Sequence, residues 1–96
     1  MASLENPDAR TDIVNRLRRA EGQLRGVQRM IEENESCVKV AQQLSAVRKA
    51  LDSTYVHMTI CLVQQEVQAR LGTDAKTQAK LAPIMAEMEK LIGRIT

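Results

Sequence analysis

An all-α fold is what this sequence predicts, and three observations carry the prediction. Apolar residues recur at steps of three and four along three segments. No stretch shows the strict alternation of a half-buried strand. Capping residues and a glycine stop punctuate the segments at helix-like lengths. With 96 residues the chain is one domain by length. Residues 1–10 read as a flexible N-terminal arm and residues 11–96 as a single helical domain.

The arm is polar, contains Pro7 and lacks periodicity. Thr11 is the expected cap of the first helix. There Ile13, Leu17, Ala20, Leu24, Val27 and Ile31 form a heptad-type stripe, the mark of a helix packed along its length. The stripe stops at the acidic stretch Glu32-Glu33-Asn34-Glu35. Gly22 and Gly26 lie inside it on one face, which reads either as drift or as close approach of another backbone. Ser36 can cap a second helix from Cys37, with Val40, Leu44, Val47, Leu51, Tyr55, Met58 and Leu62 as its seam. A further stripe, Val56, Ile60, Val63, Val67 and Leu71, occupies its C-terminal half, and Gly72 ends it. Such a helix is about 50 Å long, too long for a compact monomer of this size. It therefore predicts packing against a second copy. Thr73 can cap a third helix carrying Ala79, Ile84, Met85, Met88, Leu91, Ile92 and Ile95, which Pro83 should kink or restart.

Composition points the same way. There is one Tyr and no Phe or Trp, so the core rests on Leu, Ile, Val, Met and Ala. A small domain with such a core gains from association. The start of the chain has no apolar region of the signal-peptide kind, and no apolar run is long enough to span a bilayer. The expected location is the cytoplasm, with no membrane partner and with Cys37 and Cys61 as reduced thiols.

Net charge is only +2, but its distribution is uneven. Residues 10–29 hold six arginines against Asp12 and Glu21. Arg18, Arg25 and Arg29 make a row beside the apolar seam, which Arg16 and Arg19 widen. Arginine suits phosphate because its planar fork donates two hydrogen bonds at once, and an oligomer repeats the row. The plain alternative is a solvated charged face. No helix-turn-helix, zinc-finger or RNA-binding signature is present, and Tyr55 alone offers an aromatic face. Any DNA binding would run through phosphates and shape.

Cys37 stands at the expected start of the second helix, a setting that favours a reactive thiolate, although Glu33 and Glu35 oppose it. His57 and Cys61 are spaced i, i+4 on that helix and can reach one metal ion. Cys37 and Cys61 cannot meet within one rod, but two such helices packed antiparallel would bring Cys37 of one copy toward Cys61 of the other. The alternative makes Cys61 a small core residue and His57 a polar surface one.

The stretch RLRRAEGQLRGVQRMIEENESCVKVAQQLSAVRKAL, residues 16–51, resembles the CsoR/RcnR/FrmR/CstR family of bacterial repressors. The RLRRAEGQLRG opening, the acidic turn before Cys37 and the QQLSAVRKAL run carry the resemblance, which extends without a gap to about Leu71. It implies a three-helix protomer with a long central helix, an antiparallel dimer and a homotetramer of two dimers. It also implies operator DNA held by the basic faces and released by an inducer, with Cys37 as the family's N-terminal ligand or nucleophile.

The rest of the sensor site departs from the pattern. Where copper-sensing members carry a histidine and then a second cysteine, this chain has Leu62 and Glu66. Its own pair, His57 and Cys61, lies about one turn earlier with the same internal spacing. The second cysteine of sulfur-sensing members also falls on Glu66. The N-terminal proline of formaldehyde sensors is Ala2 here, and the arm has no histidine of the nickel and cobalt kind. The implied inducers are Cu(I) or another soft metal ion held by Cys37, His57 and Cys61, or reactive sulfur acting on Cys37 and Cys61. Leu62 continues the seam of Met58 while Cys61 is rotated about 100° from it, so Cys61 can face a neighbouring groove. The competing function is a cysteine and histidine metal buffer with no role on DNA, which would need no arginine row. With one histidine, no Gly-rich loop and no paired carboxylate site, an enzyme is not expected.

Overall fold

The computed structural model describes residues 3–72 and 74–95, the last of these by its backbone alone. Three helices follow in order: α1 (Pro7–Glu32), α2 (Cys37–Leu71) and α3 (Ala75–Ile95). No strand occurs among the described residues, so the all-α expectation holds. Ala2 and Thr73 lie outside the described residues.

The start of α1 corrects the expectation at Thr11. The helix begins at Pro7, whose fixed φ and missing N–H suit the first helical position. The Asn6 side chain accepts hydrogen bonds from the N–H groups of Asp8 at 2.9 Å and Ala9 at 3.1 Å. An Asn immediately before a Pro outcompetes a Thr one turn later, because it caps without forgoing that turn. The segment before it runs along α2: Gln65 accepts from the Glu5 N–H at 3.0 Å and donates to the Ser3 carbonyl at 2.9 Å.

The α1–α2 turn closes as a Schellman motif. The N–H of Glu35 donates to the Met30 carbonyl and that of Asn34 to the Ile31 carbonyl, at 2.9 and 3.1 Å. Asn34 takes the left-handed conformation, φ 62°, which Asn tolerates better than most residues. Ser36 then caps α2 as expected, accepting from the Lys39 N–H at 3.3 Å. Gly72, φ 93°, ends the helix. Asp74 caps α3 through the Thr77 N–H and hydroxyl, at 3.2 and 2.6 Å. These bonds hold the Asp74 carboxyl below its ordinary pKa. α3 does not restart at Pro83 but runs through it as one helix.

α1 and α3 both pack on α2 and, among the described residues, not on each other. The molecule is accordingly long, 57 × 24 × 19 Å, with a radius of gyration of 17.4 Å. A compact domain of this length has about 12.5 Å. The exposed surface is 7369 Å², against about 5,500 Å² for a compact monomer of this mass. Ile13, Ala20 and Val27 of α1, Val47, Val56 and Ile60 of α2, and Met85 of α3 are buried. Thr54 is buried too, its hydroxyl satisfied by the Ala50 carbonyl at 2.8 Å. The single stripe expected on α1 splits: Leu17, Leu24 and Ile31 remain exposed. A Cβ on Gly22 or Gly26 would meet nothing within 4 Å, so neither serves close packing inside the chain.

Candidate functional site

The arginines divide by where α2 holds the helix. Ala20 and Val27 are buried positions of α1. Arg18, Arg25 and Arg29 each lie two residues from one of them, about 200° round the helix, and so point away from α2. Arg25 bonds Glu21 at 2.8 Å and its side chain stays 70% exposed. Arg18 and Arg29 form no ion pair among the described residues. Arg16 differs: it pairs with Asp12 at 3.0 Å and is only 30% exposed. Arg19 is exposed and forms no ion pair among the described residues, to one side of the row. The outward cations are thus Arg18, Arg25 and Arg29, with Arg19 beside them and Arg16 turned toward α2.

The two thiols occupy different rows of α2. Cys37, Leu44, Leu51 and Met58 are spaced by seven and all are exposed. Cys37 lines an open apolar cleft of about 520 Å³ with Ile31, Asn34, Val40 and Leu44. Val47, Thr54 and Cys61 are also spaced by seven, and Val47 and Thr54 are buried. Cys61 is half-buried and borders a cleft of about 280 Å³ with Leu4, Asn6, Ala9 and the amides of Gln64, Gln65 and Gln68. Along α2 the thiols stand about 36 Å apart, so one chain does not bring them together.

His57 and Cys61 do share a neighbourhood. His57 Nδ1 lies 3.3 Å from Glu89 Oε1 of α3, with the His57 side chain 29% exposed. Burial pushes the Cys61 thiol above its ordinary pKa, and the charges of Asp12 on α1 and Glu89 on α3 push it further. Cys61 is therefore protonated at neutral pH and a slow nucleophile. Among the described residues no three His, Cys, Asp or Glu side chains form a ready metal site.

Glu89 and Asp12 are the site residues that sequence reasoning does not find. The signal for them is weak. Glu89 stands four residues after Met85, one helical turn from the residue α3 buries, but nothing in the sequence sets the register of α3 on α2. No helix among the described residues is long and apolar enough to cross a membrane.

Comparison with known proteins adds to this geometry. A family model described as metal-sensitive transcriptional repressor matches residues 9–94. The copper-sensing transcriptional repressor RicR of Mycobacterium tuberculosis is 39% identical over 82 residues, covering 80% of this chain and 81% of that protein. The copper-sensing transcriptional repressor CsoR of Bacillus subtilis is 46% identical over 46 residues, 48% of this chain and 46% of that protein. CsoR of Mycobacterium ulcerans is 44% identical over 50 residues, 52% of this chain and 43% of that protein. No solved structure matches the chain significantly.

Proposed function

The chain belongs to the family of metal-sensitive transcriptional repressors, and from that premise we propose that it binds operator DNA in the cytoplasm and leaves it when a soft metal ion, Cu(I) foremost, binds. Metal-responsive repression is the family's function; the operator, the ion and the residues are our reading. The observation that carries it is the outward arginine row. Arg18, Arg25 and Arg29 project opposite the face that α1 packs on α2, where phosphates can reach them without disturbing the fold. Arg19 adds charge at the side, and Arg16 contributes least because Asp12 already holds it.

The homotetramer of two antiparallel dimers belongs to the same reading. Leu17, Leu24 and Ile31 of α1 lie exposed, as do Leu44, Leu51 and Met58 of α2. The cleft that joins Ile31 to Leu44 makes these rows continuous at one end. A second copy is what such a face fits. The sensor residues are Cys37, His57 and Cys61, the soft sulfur and imidazole donors available. Release by reactive sulfur is a second reading, favoured by one observation: Cys37 is exposed and neither imidazole nor a second sulfur lines its cleft.

The test is binding to the DNA upstream of the protein's own gene, followed by fluorescence anisotropy across salt concentrations. The triple variant Arg18→Ala, Arg25→Ala, Arg29→Ala should bind more weakly and flatten the salt dependence by about 0.9 in log–log slope for each phosphate it no longer neutralises. Unchanged affinity and slope would remove α1 as the DNA surface. Added Cu(I) should release the wild-type protein under anaerobic conditions.

A further inference from the structure

We infer that Arg10, Thr11, Asn15 and Arg18 form a seat for a backbone phosphate of duplex DNA near the start of α1, with Gln65 of α2 as a residue that positions Arg10. This rests on the DNA-binding reading above and extends it to three residues outside the arginine row.

An open cleft of about 270 Å³ lies on α1, lined by Arg10, Thr11, Val14, Asn15 and Arg18. Thr11 and Asn15 each stand two residues from buried Ile13, about 200° round the helix, and so point away from α2 as Arg18 does. Thr11, Arg18 and Arg25 repeat every seven residues, so the cleft continues the row toward the start of the helix. All four polar residues of the cleft are exposed. The Thr11 hydroxyl, the Asn15 amide and the Arg18 guanidinium hold no hydrogen bond among the described residues. No carboxylate lines the cleft. Asp12 is held by Arg16, and Asp8 pairs with neither Arg10 nor Arg18.

Thr and Asn are poor choices for the interior of a helix. With Asn6 and Pro7 starting α1, Thr11 has no capping task. A hydroxyl and an amide with unused donors, set between two guanidinium groups, have the chemistry of a phosphate contact. Arg10 is held ready for it. Its Nη1 donates to the Leu4 carbonyl at 2.9 Å, which leaves most of its five N–H donors free. The chain around Leu4 is in turn tied to α2 by Gln65, which donates to the Ser3 carbonyl and accepts from the Glu5 N–H. The guanidinium is therefore oriented before DNA arrives, and less side-chain freedom is lost on binding. A free anion would find little enclosure on this open surface. A duplex adds the contacts of the row, since Arg10 and Arg29 stand about 28 Å apart along α1, enough to follow several phosphates.

The test is fluorescence anisotropy across salt concentrations, on the DNA upstream of the protein's own gene and on a scrambled duplex of equal length. Arg10→Ala, confirmed as folded by circular dichroism, should weaken both by about tenfold, the loss of one charge-assisted hydrogen bond. Its log–log salt slope should flatten by about 0.9, one phosphate. Arg10→Lys should restore the slope but not the full affinity, because the charge returns without the fork. Asn15→Ala and Thr11→Val should weaken binding with the slope unchanged, since neither carries charge. Gln65→Ala should weaken binding in the wild type and add nothing to Arg10→Ala, a non-additivity that a merely structural role would not produce. Lys80→Ala on α3 removes the same charge elsewhere and should leave the slope alone. An Arg10→Ala slope equal to that of the wild type, or an equal flattening by Lys80→Ala, would overturn the seat while leaving DNA binding by the row standing. Saturable binding of inorganic phosphate by the DNA-free protein, followed by NMR at the Asn15 side-chain amide, would make the cleft a free-anion site and overturn its assignment to DNA. No binding of either duplex by the wild type would overturn both the seat and the reading it rests on.

Discussion

Two rows of α2 carry one thiol each, and they differ in what lies against them. Cys37, Leu44, Leu51 and Met58 repeat every seven residues, and so do Val47, Thr54 and Cys61. The rows are neighbours on the same helix. Yet Leu44 is 49% exposed and Val47 is 2% exposed. The difference is not hydrophobicity, since the exposed row is as apolar as the buried one. It is the packing of α1 on α2, in which Ile13, Ala20 and Val27 are buried on one side and Val47 and Thr54 on the other, while the neighbouring row stays open. A residue's chemistry then follows its row. The thiol of the open row is accessible and borders apolar side chains. That of the covered row is half-buried beside amides and carboxylates.

The largest expected effect tests whether the rows differ at all. Val47→Asp places a charge where no partner can reach it and should cost at least ~3 kcal/mol, a large part of a small domain's stability. Urea unfolding followed by circular dichroism would measure it. Leu44→Asp, three residues away on the open row, should keep its helical signal and, under the proposed tetramer, fall in light scattering from four times the monomer mass to a smaller species. Assembly of that kind would stabilise the fold, so the urea midpoint of the variant should also become less dependent on protein concentration. If both variants unfold alike, or both stay assembled, the two rows are one.

Much of this division is legible in the sequence, and the rest is hidden for a physical cause. Ser36, Gly72 and both ends of α2 are legible because capping is local chemistry that neighbouring residues decide. The α1 start is harder because two capping residues, Asn6 and Thr11, both qualify locally, and Pro7 decides between them. The seam expected on α2 merges Val40 and Val47 with Leu44 and Leu51. Hydropathy says that both rows want cover, but not whether the cover is α1 or another chain. Thr54 is invisible as a core residue because its hydroxyl is satisfied by its own helix. Of the candidate sensor, Cys37, His57 and Cys61 are legible from residue type and spacing. Glu89 and Asp12 are not, because they reach the site from other helices.

A smaller effect tests how the covered row is sheltered. Asn6 both caps α1 and lines the cleft of Cys61. Asn6→Ala should cost about 1 kcal/mol, concentrated in the first turn of α1. Hydrogen exchange should quicken at the amides of Asp8, Ala9 and Arg10 and remain unchanged at the start of α2. Alkylation of Cys61 should quicken with it, while that of Cys37 should not. Equal acceleration at both thiols would mean global loosening rather than an opened cleft.

The smallest effect isolates charge from burial at Cys61. Its thiol titrates above the ordinary 9.0, first because of burial, then because of Asp12, then Glu89. Alkylation follows the thiolate, so in the metal-free protein the rate at Cys61 should reach half its maximum above pH 9.0. The folded chain holds this proton more tightly than the unfolded chain does, so stability should decline as pH rises from 9.0 through the higher folded value. Asp12→Asn removes the larger of the two charge effects and should lower the midpoint more than Glu89→Gln does. Neither should bring it to 9.0, because burial remains. Rates read site by site by mass spectrometry across pH would give both midpoints in one series. A midpoint that ignores both substitutions would leave burial as the sole cause and remove the carboxylates from the neighbourhood of the thiol. A midpoint that falls in the order given would place side chains from all three helices around one sulfur, which the open row at Cys37 has no means to do.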